Sequence, residues 1–195
     1  MSVSPESAKD IEVELRTYDV DGNALRATLR NLGAVSLGEQ VFKRAVLDVH
    51  PVDPNKWIRV RSNGTETTLA IKQRGTATEM DAEIEEKVES FETTLQLLSS
   101  LGFEPRSVQE SRSDIYTLDG AEVSIDTWPG LKELLEIEAK DNTASVAERT
   151  ATIHNVAAKL GIPVKALTTE SIERRYQDTL GIDVKTTSLT FDTLE

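Results

Sequence analysis

Short stretches of this chain place charged residues two apart with apolar residues between them, and the charges come as acidic or basic pairs. Glu12 and Glu14 precede Arg16; Arg59 is followed by Arg61 and Lys72 by Arg74; Glu83 and Glu85 precede Lys87. Further along, Arg112 pairs with Asp114, Glu122 with Ser124 and Asp126, and Glu136 with Glu138 and Lys140. Like charges two apart share one face of a strand and repel unless opposite charge or a ligand lies between them. Carboxylate pairs are hard oxygen donors for divalent cations, and Arg or Lys pairs are phosphate-binding groups. Turned toward one enclosed space, these faces suit a polyanion bound together with divalent metal ions.

Strands must carry these pairs. Period-two alternation predicts strands over 11–16, 35–49, 56–62, 66–74, 79–89, 108–118, 121–128 and 132–140. Asn63-Gly64 and Asp119-Gly120 are hairpin signals between neighbouring runs. Three- and four-residue apolar spacing predicts helices over 23–33, 91–102 and 146–160, with Leu-Gly at Leu32-Gly33, Leu101-Gly102 and Leu160-Gly161, and a further helix is expected over 170–180 after Pro163. The opposite strand faces carry Ile58 and Val60, Leu69 and Ile71, Val123 and Ile125, and Leu135 and Ile137. Alternation alone fits an open antiparallel sheet with one wet face and one face under helices. A sheet this long can also close on itself, which would put the charge inside and the helices outside.

The chain of 195 residues, 38% hydrophobic and 29% charged, is expected to form one domain over 1–195, with flexible ends at 1–10 and 186–195. A net charge of −12 argues against nucleic-acid and anionic-membrane partners, so an anionic substrate must meet a local basic patch or metal ions. No Cys is present for a disulfide or a thiolate metal site, and His50 and His154 stand alone. There is no phosphate-binding glycine loop and no serine nucleophile elbow. The start of the chain lacks the pattern of a signal peptide and no apolar run is long enough for a membrane helix, so a cytoplasmic monomer or homodimer is expected.

The run Ile11-Glu12-Val13-Glu14-Leu15-Arg16 is similar to the Glu-x-Glu-x-Lys signature that opens CYTH domains, the triphosphate tunnel metalloenzymes. The later pairs follow in that family's order through Lys140: Arg59 and Arg61 in Trp-Ile-Arg-Val-Arg, Lys72 in Leu-Ala-Ile-Lys, Glu83 with Glu85, Arg112, Asp126, and the Leu-Leu-Glu-Ile-Glu of Glu136 and Glu138. The resemblance implies an α+β fold, a closed antiparallel β-barrel or tunnel with a charged lumen and helices packed outside. It implies that Glu12, Glu14, Glu136 and Glu138 ligate Mg²⁺ or Mn²⁺. Arg59, Arg61, Lys72, Arg74 and Arg112 would bind the substrate's phosphates, and Arg16, Glu83, Glu85 and Asp126 would be the catalytic group. The chain departs from the family at Arg16, where Lys is usual, and in lacking a tyrosine between Val41 and Pro51.

The family acts on ATP, tripolyphosphate or thiamine triphosphate. Length and single-domain organisation most resemble its class IV adenylate cyclases, which convert ATP to cyclic AMP and pyrophosphate. The alternatives are an inorganic tripolyphosphatase or thiamine triphosphatase, and a non-catalytic polyphosphate or nucleotide binder. Trp57 and Trp128 could stack on a ring, though aromatic residues beside strands are more often core. Arg174, Arg175 and Tyr176 could close one tunnel mouth, or simply form a solvated helix face.

Overall fold

Asp119 and Gly120 both adopt positive φ, as the tightest hairpin turn requires, and they join two long strands with a two-residue connection. Asn63-Gly64 works differently. Only Gly64 has positive φ, while the Asn63 side chain accepts hydrogen bonds from the backbone of Thr65 and Glu66 and so shapes a four-residue loop.

The computed structural model describes residues 10–75 and 82–194. Its strands are β1 (Asp10–Ile11), β2 (Glu14–Tyr18), β3 (Val35–Asp53), β4 (Lys56–Ser62), β5 (Thr67–Gln73), β6 (Ala82–Val88), β7 (Pro105–Leu118), β8 (Ala121–Thr127) and β9 (Leu134–Ala139). The helices are α1 (Gly22–Asn31), α2 (Phe91–Ser100), α3 (Val146–Lys159) and α4 (Ile172–Leu180). The predicted start of β6 at Glu79 lies outside the described residues.

All these strands form one antiparallel sheet in the order β1-β6-β5-β4-β3-β7-β8-β9-β2. The fold is α+β, as expected, but among the described residues no hydrogen-bonded ladder joins the sheet's two edges, so the sheet of the expected barrel is not closed by hydrogen bonds. The edges are consecutive pieces of the same chain. The strand predicted over 11–16 breaks at Glu12 and Val13, so that β1 pairs with β6 and β2 with β9. The physical reason is that this segment serves both edges, and Val13 turns away from the β6 side, buries its side chain and accepts a hydrogen bond from Ala139 N.

Helices cover the sheet's apolar face. Leu25 and Leu29 of α1 and Ile153, Val156 and Ala157 of α3 pack with Val123, Ile125, Leu135 and Ile137 of β8 and β9. Phe91 at the start of α2 packs on Ala45, Leu47, Ile58 and Val60 of β3 and β4. Side-chain caps at Asp21, Ser90, Ser145 and Ser171 start the four helices by accepting from backbone N–H groups of the first turn. On β5 and β6 the cover thins, and Ile71 and Ile84, paired across the two strands, stay exposed.

The C-terminal segment, expected to be a flexible end from 186 onward, makes contacts with the sheet. Leu189 is fully buried with Trp128, Leu134, Tyr176 and Val184, and its backbone bonds to Val108 and Glu110 of β7. The expected free end at 1–10 falls almost wholly outside the described residues. No helix among the described residues is long and apolar enough to cross a membrane.

Candidate functional site

Because side chains alternate along each strand, the face opposite the helices collects the charged member of nearly every pair. That face surrounds a cavity of about 390 Å³ whose lining comes from every strand from β2 to β9. The cavity gathers Glu12, Glu14, Arg16, Arg59, Arg61, Lys72, Arg74, Glu83, Glu85, Asp126, Glu136 and Glu138. Of the residues expected as metal ligands, substrate-binding groups or catalytic groups, only Arg112 is missing. Arg112 and Asp114 point to the other face of β7, where Arg112 stacks over Phe191 at 4.6 Å and Asp114 pairs with Arg26 of α1 at 2.6 Å. The reason is parity: the cavity-side residues of β7 are Gln109, Ser113 and Ile115, one position out of step with Arg112.

Acid and base interleave in two groups. On the β4, β5 and β6 wall, Arg59 reaches Glu83 at 2.5 Å and Glu85 at 2.9 Å, and Lys72 lies between Glu83 at 3.0 Å and Glu12 at 2.9 Å. Arg61 meets Glu85 only at 3.5 Å. Glu12 and Glu83 share this environment unequally. Burial pushes Glu83 up, aided by its hydrogen bond with Glu12, while for Glu12 that bond and Lys72 outweigh burial and hold the carboxyl well below the usual range.

On the β2, β9 and β8 wall, Arg16 pairs with Glu14 and, at 2.8 Å, with Glu136. Glu14 sits directly across from Glu138, and Glu138 across from Glu122, so three carboxylates stand side by side on adjacent strands. Burial, then the neighbouring Glu136, pushes Glu14 up to about 8 against the pull of Arg16. Burial also raises Glu138, with Lys140 opposing at 2.9 Å. Asp126 is 9% exposed, its Oδ1 has no hydrogen-bond partner, and burial followed by Glu136 raises it toward neutrality.

Carboxylate oxygens are the donors that Mg²⁺ and Mn²⁺ prefer, and a row of mutually repelling carboxylates with one orphaned buried oxygen fits a divalent cation. Among the described residues no three acidic groups already converge as a ligand set. Arg16, Lys72 and Lys140 occupy them instead, and the four glutamates expected as ligands divide between the two walls. Glu14, Glu136 and Glu138 share one, and Glu12 is held by Lys72 on the other.

One cavity cation was missed from the sequence. Arg44 on β3 lies under no charge-pair motif, since its neighbours at two-residue spacing are Phe42 and Val46. Its guanidinium stacks over Trp128 at 4.6 Å and Phe42 at 5.2 Å and donates to Ser111 Oγ at 2.9 Å. Burial, then Arg59 and Arg61, pulls it down to about 9, still cationic at neutral pH. Both tryptophans line the cavity: Trp128 is also buried in the core, as expected, and Trp57 has Arg74 over its ring at 5.5 Å.

The start of α4 borders the cavity through Ser171, Ile172 and Glu173, and Glu173 pairs with Arg74 at 2.8 Å. The residues named from sequence at this end do other work. Arg174 pairs with Asp178 in the solvent, Arg175 with Asp19, and Tyr176 is buried with its hydroxyl donating to Pro129 O at 2.6 Å.

The model of the family described as CYTH domain matches residues 10–172. No curated protein matches this sequence. Among solved structures, a protein from Pyrococcus horikoshii is 22% identical over 83% of this chain and 96% of its own, with a TM-score of 0.71. A proposed adenylate cyclase from Vibrio parahaemolyticus is 14% identical over 90% of this chain and 100% of its own, also at 0.71. A proposed adenylyl cyclase from Hippeastrum, described as having a dominant triphosphatase activity, is 16% identical over 88% and 96%, at 0.59. At these identities the likeness is one of fold.

Proposed function

Given that this chain belongs to the CYTH domain family, we propose that it is a metal-dependent enzyme acting on a small triphosphate-bearing substrate held in the charged cavity. The observation that carries this reading is the meeting of two walls in one cavity: a basic one with Arg59, Arg61 and Lys72, and an acidic one with Glu14, Glu136 and Glu138. On the first wall Arg61 reaches its carboxylate only at 3.5 Å, and on the second Glu14, Glu138 and Glu122 stand side by side. A polyphosphate with divalent ions would neutralise both at once, which is the chemistry of phosphoryl-transfer sites.

In this reading Glu14, Glu136 and Glu138 hold Mg²⁺ or Mn²⁺, with Glu12 joining when Lys72 turns from it to the substrate. Bound there, the metal supplies charge neutralisation on the phosphates and activation of the attacking oxygen. Arg59, Arg61 and Lys72 exchange carboxylates for phosphate oxygens, and Glu83, set free and raised by burial, can carry a proton. Arg16 keeps Glu14 and Glu136 apart and oriented, a task that a guanidinium fork does as well as an ammonium.

Hydrolysis of inorganic tripolyphosphate is the substrate reading that the geometry favours, because each cavity-side tryptophan already carries a guanidinium over its ring. Cyclisation of ATP is the second reading. It is favoured by Asp126, a buried carboxyl raised toward neutrality beside Ser124, suited to take a proton from a ribose hydroxyl. Incubation with tripolyphosphate, ATP or thiamine triphosphate, each with Mg²⁺ or Mn²⁺, decides between them. Orthophosphate released from tripolyphosphate and lost in Glu14→Gln is the expected result; cyclic AMP with pyrophosphate would install the cyclase, and binding without any product would remove the enzyme.

A further inference from the structure

The cavity cations on most strands are already matched by carboxylates. Arg16 is held by Glu14 and Glu136, Arg59 by Glu83 and Glu85, and Lys72 by Glu12 and Glu83. Arg44 is different. Among the described residues its guanidinium has one hydrogen-bond acceptor, the neutral Ser111 Oγ, and no carboxylate in ion-pair contact.

Its position makes the imbalance sharper. Arg44 stands directly across from Arg61 in the β3–β4 register, and Arg61 reaches its nearest carboxylate, Glu85, only at 3.5 Å. On its other side Arg44 faces Gln109 of β7, a strand whose cavity-side residues carry no charge. Two like charges directly opposite each other on one sheet face repel, and the cost grows as water is excluded. Phe42 lies between them, its ring 5.2 Å from the Arg44 guanidinium and 5.3 Å from that of Arg61. The stacked rings of Phe42 and Trp128 hold the Arg44 plane in place, so its fork is set before any ligand arrives.

We propose that Arg44 and Arg61 together form an oxyanion site that takes one phosphoryl group of the substrate, Arg44 supplying the cation that β7 does not. This inference rests on the triphosphate reading and adds to it a binding residue that lies outside the charge-pair motifs. An anion bridging the two guanidiniums turns their mutual repulsion into two charge-assisted contacts, and a planar fork suits two phosphate oxygens at once.

The experiment is titration of inorganic tripolyphosphate, with and without Mg²⁺, into the wild type, Arg44→Gln, Arg44→Lys, Arg61→Gln and the double glutamine variant, followed by calorimetry and by thermal melting. Arg44→Gln is expected to weaken binding by about tenfold or more, the loss of one charged hydrogen-bonding group. Arg44→Lys recovers part of that, and the double variant loses less than the two single losses combined because both residues hold one phosphoryl group. The melting midpoint without ligand reports folding, and Arg44→Lys keeps the test open if Arg44→Gln fails to fold. Arg44→Gln binding within about twofold of wild type, or two fully additive losses, would overturn the shared site. Tripolyphosphate failing to bind the wild type in either condition would remove the triphosphate reading as well.

Discussion

Arg59 and Arg61 sit two residues apart on β4 and look alike in the sequence, yet the fold holds them differently. Arg59 spans two carboxylates, one of them the nearly buried Glu83, while Arg61 is more open and meets one carboxylate at long range. Removing Arg59 leaves Glu83 buried beside Glu12 and Glu85 without its closest cation, so Arg59→Ala is expected to cost about 3 kcal/mol of stability without ligand. Arg61→Ala should cost under about 1 kcal/mol. Denaturant unfolding of both variants checks this, and equal losses would show that Glu83 finds another partner. Arg112 supplies the opposite control. Because it lies across the sheet from the cavity, Arg112→Ala should keep turnover within about twofold of wild type, as for surface positions generally. A large loss of turnover with normal stability would put Arg112 back in the site.

At the scale of elements, the segment after α4 gains its meaning from where it docks. Leu189 adds a short parallel bridge to β7 at Gln109 and closes the core around Trp128, whose other neighbour is Arg44. Leu189→Ala is expected to destabilise by about 3 kcal/mol, the cost of a large-to-small change at a fully buried site. It should also weaken tripolyphosphate binding beyond what stability explains, since Trp128 then loses the packing that fixes Arg44. Unfolding and binding curves recorded on the same variant separate the two effects, and unchanged affinity would uncouple the tail from the site. α4 enters the same region from the other side, with Glu173 on Arg74, and the neighbouring backbone carbonyl of Glu170 accepts from the Tyr18 hydroxyl at 2.8 Å. The C-terminal third therefore forms part of the cavity wall.

At the scale of the whole molecule, a cavity of repelling carboxylates makes stability depend on pH. Glu14 is raised to about 8 from the usual 4.5, so between those values the folded protein binds more protons than the unfolded chain, and stability falls as pH rises. Glu83 and Asp126, also raised, act in the same direction. Glu12 is lowered, so its contribution is lost only as pH falls below the usual carboxylate range. The ligand-free melting midpoint should therefore peak in mild acid and decline between about pH 5 and about pH 8. Glu14→Gln should flatten the decline, and a midpoint that rises over this range would contradict the placement of Glu14. From the sequence alone, alternation determined nearly every strand, the apolar spacing determined the four helices, and the charge pairs determined most of the cavity lining, because period-two geometry fixes which side chains share a face. Tertiary structure alone decided the rest. Arg44 belongs to no pair and Arg112 belongs to one, yet the phase of β7 turns Arg112 outward and the pairing of β3 with β4 sets Arg44 against Arg61. The break at Glu12 and Val13 and the docking of Leu189 are decided the same way, since both depend on contacts with strands distant in the chain.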